Sequence, residues 1–339
     1  MSSPKSAPAV PVALDPAPQS ALLVKTSSLG DVIHNLPVAT DLRRQFPGLA
    51  IDWVVEESFA AIPRLHPAVR HVIPVALRRW RRQLFAAATR SEWREFRRTL
   101  DARHYDVVLD TQGLIKSGLI AWLARGKRCG YAAEAAREPL AARFYNRTFA
   151  IPRNLHAVER NRWLAAAAFD YPPPDAATAP LDYGIAAQPL HATWLPAAPY
   201  AVLLTATSRD DKLWAEAEWR VLADALARRG IAAVLPAGSA PERERAARLA
   251  GAMARGVAAP PLDIPTLAAL IAGAAIVVGV DTGLTHLAAA LGRPVVAIFA
   301  ASEPGLTGVL AATPAVNLGG MGRPPGAADV IAAADAMLG

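Results

Sequence analysis

The feature that most constrains this chain is the regular return of short apolar runs, each followed by a stretch of helical length. ALLV at 21–24, IDWVVEE at 51–57, HVIPV at 71–75 and DVVLD at 106–110 are largely apolar at successive positions, unlike the alternation of a strand with one wet face. They fit strands covered on both sides, as in a parallel sheet flanked by helices. Helical stretches, notably SEWREFRRTLDARH, lie between them, so the spacing predicts an α/β fold.

Between 171 and 195 the pattern stops at YPPPDAATAP, QPL and WLPAAP, where proline breaks both helix and strand periodicity. It then restarts with YAVLLTATSRDDK, the helix EAEWRVLADALARRG, the strand IAAVLPAG and the helix PERERAARLAGAM. A length of 339 residues also suits two domains, each with its own core. The expected organisation is a leader at 1–20, a first Rossmann-like half at 21–180, a linker at 181–198 and a second Rossmann-like half at 199–339. Ligands should bind in the cleft between the strand ends of the two halves, with a hinge in the proline-rich stretch.

Composition narrows the function. Hydrophobic residues make up 53% of the chain, yet a charge interrupts every apolar run before the eighteen or so residues that a membrane span requires. The first twenty residues hold five prolines and no continuous apolar core, so they read as a disordered leader rather than a secretory signal. A lone cysteine, Cys129, forms no internal disulfide and has no partners at metal-ligand spacing, which fits a cytoplasmic protein. Charge is uneven: residues 1–185 carry 25 Lys and Arg against 17 Asp and Glu, whereas residues 186–339 carry 11 against 12. The first half is therefore expected to meet an anion.

Five motifs stand where strands end. In KTSSLGD, the small residues Ser27, Ser28 and Gly30 let backbone N–H groups approach an anion or a sugar. Asp31 either caps the helix that follows or, on a cleft-facing loop, accepts a proton from an attacking hydroxyl. In TATSRDDKLW, Lys212 would offset charge on a departing diphosphate, with Thr207 and Ser208 as donors; the plainer reading is a solvated loop. In VDTGLTH, Asp281, Thr282 and Gly283 open a helix whose free N–H groups suit phosphate, with His286 on the first turn as either a functional or a core histidine. LRRWRRQ sets Arg78, Arg79, Arg81 and Arg82 around Trp80, a phosphate-binding density or a solvated basic face. The rest of the chain offers no basic-aromatic stripe, so nucleic acid is not expected as a partner. Glu242 and Glu244 open a helix after a strand, where ribose hydroxyls are often held or where the helix dipole simply favours acids.

Taken together, KTSSLGDVIHNLP, IDWVVEESFAAIP, VALRRWRR, TQGLIKS, AREPLAARFYN, TSRDDKLW and VDTGLTHLAAAL resemble the ADP-heptose:lipopolysaccharide heptosyltransferase family, in consistent order from about residue 21 to about 310. The resemblance implies a GT-B enzyme that transfers L-glycero-D-manno-heptose from ADP-L-glycero-β-D-manno-heptose to the inner Kdo of Kdo2-lipid A. The transfer would invert configuration and need neither metal nor cofactor. The string RRWRR favours addition of the first heptose over the second; a non-catalytic nucleotide-binding protein of the same fold is the other alternative.

Residue by residue, the resemblance places Asp31 as base and Lys212 on the diphosphate. It puts Thr207, Ser208, Thr282 and Gly283 on donor phosphates, Asp281 and His286 on the heptose side, and Glu242 on the ribose. Ser28, Gly30, Arg78, Arg79, Arg81, Arg82 and Arg137 fall on the acceptor side. Thr205 stands where relatives often carry histidine, Leu213 replaces a polar residue, and Ala300 and Ala301 replace a Gly-Pro pair. An acceptor with a lipid tail implies peripheral work at the cytoplasmic face of the inner membrane.

Overall fold

Successive side chains of a strand point to opposite faces, so a strand that is apolar at every position needs cover on both. The computed structural model describes residues 17–83, 85–175, 177, 179–207 and 209–339, and it shows that cover. Leu22 and Val24 pack with Phe96, Leu100, Ile120 and Ala141, while Ala21 and Leu23 pack with Leu36, Leu42, Leu164 and Ala165 on the other side.

Strands β1 (Ser20–Val24), β2 (Ala50–Glu56), β3 (Val69–Val75), β4 (His104–Asp110), β5 (Arg125–Tyr131) and β6 (Arg147–Phe149) form a parallel sheet in the order β3-β2-β1-β4-β5-β6. Strands β7 (Tyr200–Leu204), β8 (Ala232–Leu235), β9 (Gly256–Ala258), β10 (Ile276–Val280), β11 (Val295–Phe299) and β12 (Ala315–Gly319) form a second parallel sheet, β12-β11-β10-β7-β8-β9. Both therefore have the doubly wound order, with the direction of winding reversing beside β1 and β4 and again beside β7 and β10. Connections leave those strand pairs toward opposite sides and open a crevice at their carboxyl ends.

The expected leader needs one correction. Residues 1–16 lie outside the described residues, but Gln19 and Ser20 already belong to the fold. Their backbone N–H groups donate to the Asp106 carboxylate at 2.8 and 2.9 Å, and Ser20 opens β1. An acid at the start of β4 thus fixes the entry of its neighbour.

Between the helix Ala157–Ala168 and β7 the chain forms no helix or strand among the described residues. It is nonetheless tied to both halves: Arg44 pairs with Asp182 at 2.8 Å, and the Leu190 N–H donates to the Ala269 carbonyl at 3.0 Å. Gly184 is required where it stands. Its φ is +66°, and a Cβ there would lie 2.3 Å from His66 Nε2.

A buried ion pair holds the first half to this segment. Arg162 donates to both Asp41 oxygens, at 2.7 and 2.9 Å, and to the Ala179 carbonyl at 2.7 Å. Asp41 and Arg162 are only 4% and 8% exposed, so removing one charge strands the other away from water. We expect Asp41→Asn to cost about 3 to 5 kcal/mol in urea denaturation. A cost under about 1 kcal/mol, the range of an exposed pair, would show that the pair does not clamp the fold.

Candidate active site

The loop after β1 carries Lys25 to Asp31 and is shaped from the loop after β4. Gln112 Oε1 accepts from the N–H groups of Thr26 and Ser27 at 2.7 and 3.2 Å, and its amide donates to the Ser27 carbonyl. Asp110, fully buried, accepts from the Gln112 N–H at 2.7 Å and from Tyr145 Oη at 2.7 Å. Burial pushes its carboxyl pKa up, partly offset by those hydrogen bonds.

Asp31 sits in the first turn of the helix Leu29–Ile33. Its Oδ2 accepts from the Ser28 N–H at 2.8 Å and hydroxyl at 3.2 Å, and lies 3.5 Å from Arg137 Nη1. The N-cap is therefore Ser28 rather than Asp31, and Asp31 caps from inside the helix through one oxygen. Among the described residues Oδ1 has no hydrogen-bond partner, and the carboxylate keeps access to the cleft.

Beside Asp31 lies a cavity of about 130 Å³ lined by Lys25, Tyr131, Arg137, Arg160, Asn161 and, from the second half, Thr307, among others. Lys25 Nζ donates to the Thr111 carbonyl at 2.8 Å, and Arg160 lies over the Tyr131 ring at 4.8 Å. Burial lowers the Lys25 pKa to about 8, against the pull of Asp31 and Asp110. Thr111 Oγ1 and Arg160 Nε are buried without a partner. Three cations around one cavity face a single lining carboxylate, an arrangement that calls for an anion.

Across the cleft, Lys212 Nζ meets Asp281 Oδ2 at 2.6 Å, and the Ser302 hydroxyl donates to the same oxygen at 2.7 Å. Burial works against ionisation of Asp281, but these two hydrogen bonds outweigh it and hold its pKa below the usual range. Thr207 Oγ1 donates to the Asp281 carbonyl at 3.2 Å. Thr282 is the N-cap of the helix Gly283–Ala290 with extended backbone and no side-chain cap; the Thr285 N–H donates to its carbonyl at 3.1 Å, which leaves the Gly283 and Leu284 N–H groups without a capping side chain. Ser208 lies outside the described residues. Glu242 Oε2 accepts from the Gly238 and Ser239 N–H groups at 3.0 and 2.8 Å, so the carboxylate caps its own helix.

The basic cluster divides. Arg79 is held by Glu57 and Glu92, each at 2.9 Å, and Arg78 lies over the Phe59 ring at 5.3 Å. Arg81 and Arg82 are exposed and, among the described residues, make no ion pair. Asp211, beside Lys212, pairs with Arg209. Among the described residues, no three His, Cys, Asp or Glu side chains gather closely enough to hold a metal.

The two halves meet through these same motifs. A Cβ on Gly283 would stand 2.7 Å from Leu29 Cβ, and one on Gly30 would stand 3.3 Å from His286 Cδ2. His286 Nδ1 lies 3.1 Å from His34 Nε2, with His286 6% exposed. Burial, then the neighbouring imidazoles, drives His34 well below its ordinary pKa, and burial lowers His286 to about 4, so both rings are neutral. His156 Nδ1 accepts from the Val158 N–H, leaving Nε2 to donate to the Gly308 carbonyl at 3.0 Å. Sequence reasoning did not reach Gln112, Arg160, Asn161, His34 or Ser302 as site residues. The string TQG hinted at Gln112; the others are placed by packing.

Two doubly wound halves with facing motifs define a GT-B transferase. Residues 93–328 match the family model of glycosyltransferase family 9 (heptosyltransferase). Lipopolysaccharide heptosyltransferase 1 of Pseudomonas aeruginosa is 50% identical over 291 residues, covering 85% of this chain and 80% of that protein. The solved E. coli heptosyltransferase WaaC with ADP shares 44% identity at a TM-score of 0.86, over 94% of this chain and 99% of that one. The same E. coli enzyme with ADP-2-deoxy-2-fluoro heptose gives 42% and 0.83, over 94% and 99%. The chain belongs to glycosyltransferase family 9, the heptosyltransferases.

The close packing at Gly283 makes a direct test of the interface. Gly283→Ala should lower kcat on the order of tenfold by holding the halves apart, and Leu29→Gly in the same chain should restore much of it. An unchanged kcat in Gly283→Ala would mean that this contact is absent from the working form.

Proposed function

We propose that this chain transfers L-glycero-D-manno-heptose from ADP-heptose to the inner Kdo of Kdo2-lipid A, inverting the anomeric carbon. The observation that carries the reading is Asp31 at the mouth of the cavity ringed by Lys25, Arg137 and Arg160. Kdo is an acidic sugar, and a carboxylate near the nucleophilic hydroxyl is the anion such a ring would receive.

In this reading Asp31 Oδ1 takes the hydroxyl proton as that oxygen attacks the anomeric carbon from the face opposite ADP. Arg137 and Ser28 fix the carboxylate through Oδ2. Negative charge grows on the leaving diphosphate, and Lys212, Thr207 and the N–H groups after Thr282 receive it. Lys212 must then exchange its bond to Asp281 for the phosphates, and Asp281 stays ionised through Ser302. His286 braces the heptose side through His34. The free Oε1 of Glu242 remains for a ribose hydroxyl, while Arg81 and Arg82 reach for phosphates of the acceptor, and Gly30 keeps the loop backbone close to it. No helix among the described residues is long and apolar enough to cross a membrane, which suits peripheral work at the cytoplasmic face.

Transfer to Kdo2-lipid A in EDTA, followed by mass spectrometry of the lipid, should show one heptose added. Asp31→Asn should lower kcat on the order of a hundred- to ten-thousand-fold with little change in donor binding. Retained turnover in that variant would remove Asp31 from the role of base.

Lys25 supplies a pH dependence. It is charged below its lowered pKa and neutral above, so the KM for the acceptor should rise once the pH passes about 8. Lys25→Met should have the high KM at every pH; a wild-type KM flat from pH 7 to about 9 would count against acceptor binding by Lys25.

A further inference from the structure

One layer of the first half has an outer surface that the transfer reaction does not explain. The helices Ala87–Asp101 and Ile115–Leu123 and the 3-10 turn Pro139–Phe144 cover the same face of the first sheet, packing inward through Phe96, Ile120 and Ala141. Their outward side carries Trp93, Leu119, Trp122 and Leu140, exposed by 38, 42, 56 and 53%, with Phe85 just before the first helix at 89%. Five of the eight exposed large apolar side chains among the described residues thus belong to one layer, which marks it as a contact surface.

Cations alternate with these side chains at one-turn spacing. Arg90 precedes Trp93 by three residues, Lys116 precedes Leu119 by three, and Arg143 follows Leu140 by three. Glu92 is taken by Arg79 and Trp80, and Glu138, which accepts the Ile115 N–H at 2.6 Å, offsets Lys116 in part, so Arg90 and Arg143 are left without an ion pair among the described residues. Tryptophan and leucine ringed by arginine and lysine fit the boundary between headgroups and acyl chains of an anionic lipid layer.

The face is also continuous with the site. A cavity of about 580 Å³ has Leu77, Trp80 and Trp93 as its apolar walls and Arg78, Arg81, Arg90 and Lys116 as its charged ones. Lys116 Nζ donates to Ser27 Oγ at 3.0 Å, next to the Ser28 that holds Asp31. A headgroup held by Lys116 would lie one hydrogen bond from the loop that carries Asp31.

We propose that this layer is a membrane-docking face. Trp93, Leu119, Trp122 and Leu140 enter the headgroup region of an anionic bilayer, and Arg81, Arg90, Lys116 and Arg143 pair with lipid phosphates. The inference does not depend on which sugar is transferred, because docking needs no acceptor.

The test is cosedimentation of the full chain with vesicles free of acceptor. Vesicles of phosphatidylethanolamine and phosphatidylglycerol should bind it, and vesicles of phosphatidylcholine alone should bind it on the order of tenfold less. Leu119→Ser/Trp122→Ser should lower binding to the anionic vesicles on the order of tenfold, while leaving turnover of a water-soluble, deacylated acceptor unchanged. Equal binding by the double variant, or no preference of the wild type for anionic vesicles, overturns the proposal. Should the double variant not fold, brominated phosphatidylglycerol in the same vesicles must quench part of the wild-type tryptophan fluorescence; no quenching also overturns it. Self-association that the double variant abolishes, without vesicle binding by the wild type, would assign the face to a second copy of the chain instead.

Discussion

Everything at the cleft depends on the contact between two helix starts, Leu29 and Gly30 on one half and Gly283 and His286 on the other. The backbones approach so closely that a methyl group on Gly283 collides with Leu29. That approach brings a carboxylate from one half close to a helix N-terminus of the other. The histidine pair sealing it is neutral because it is dry, so the contact carries no charge across the usual pH range.

Around that contact the charges are sorted by half. Cations of the first half gather round Asp31, with no matching set of carboxylates, and so await an anionic partner. The second half is close to neutral overall and instead offers one lysine, hydroxyls and a helix N-terminus, the set suited to charge that appears only during reaction. Lys212 rests on Asp281, which keeps the lysine oriented and both groups satisfied.

The basic cluster shows how such groups divide between structure and function. Arg79 is fixed by two glutamates, and Trp80 donates to one of them, Glu92, at 2.6 Å, so half of the string builds a scaffold. Arg81 and Arg82 are left exposed, without an ion pair among the described residues. Equal letters in a sequence thus have unequal work.

The sequence alone determined the α/β class, the two halves and the strand-end positions of the motifs. Apolar continuity requires double cover, and doubly wound sheets put loops with chemistry at their carboxyl ends. It did not reveal β5, where Arg125, Lys127 and Arg128 interrupt any apolar run; pairing with β4 and β6 makes it a strand. Neither could it choose between the two readings of Asp31 or Glu242, since a capping acid and a functional acid share the same local pattern. Only the tertiary structure decided that Arg160 and Asn161, more than a hundred residues further along the chain, share a cavity with Lys25 and Asp31. The physical reason is that strand periodicity and helix caps are local, whereas a cavity's charge and dryness are set by segments that meet only once the sheets have formed.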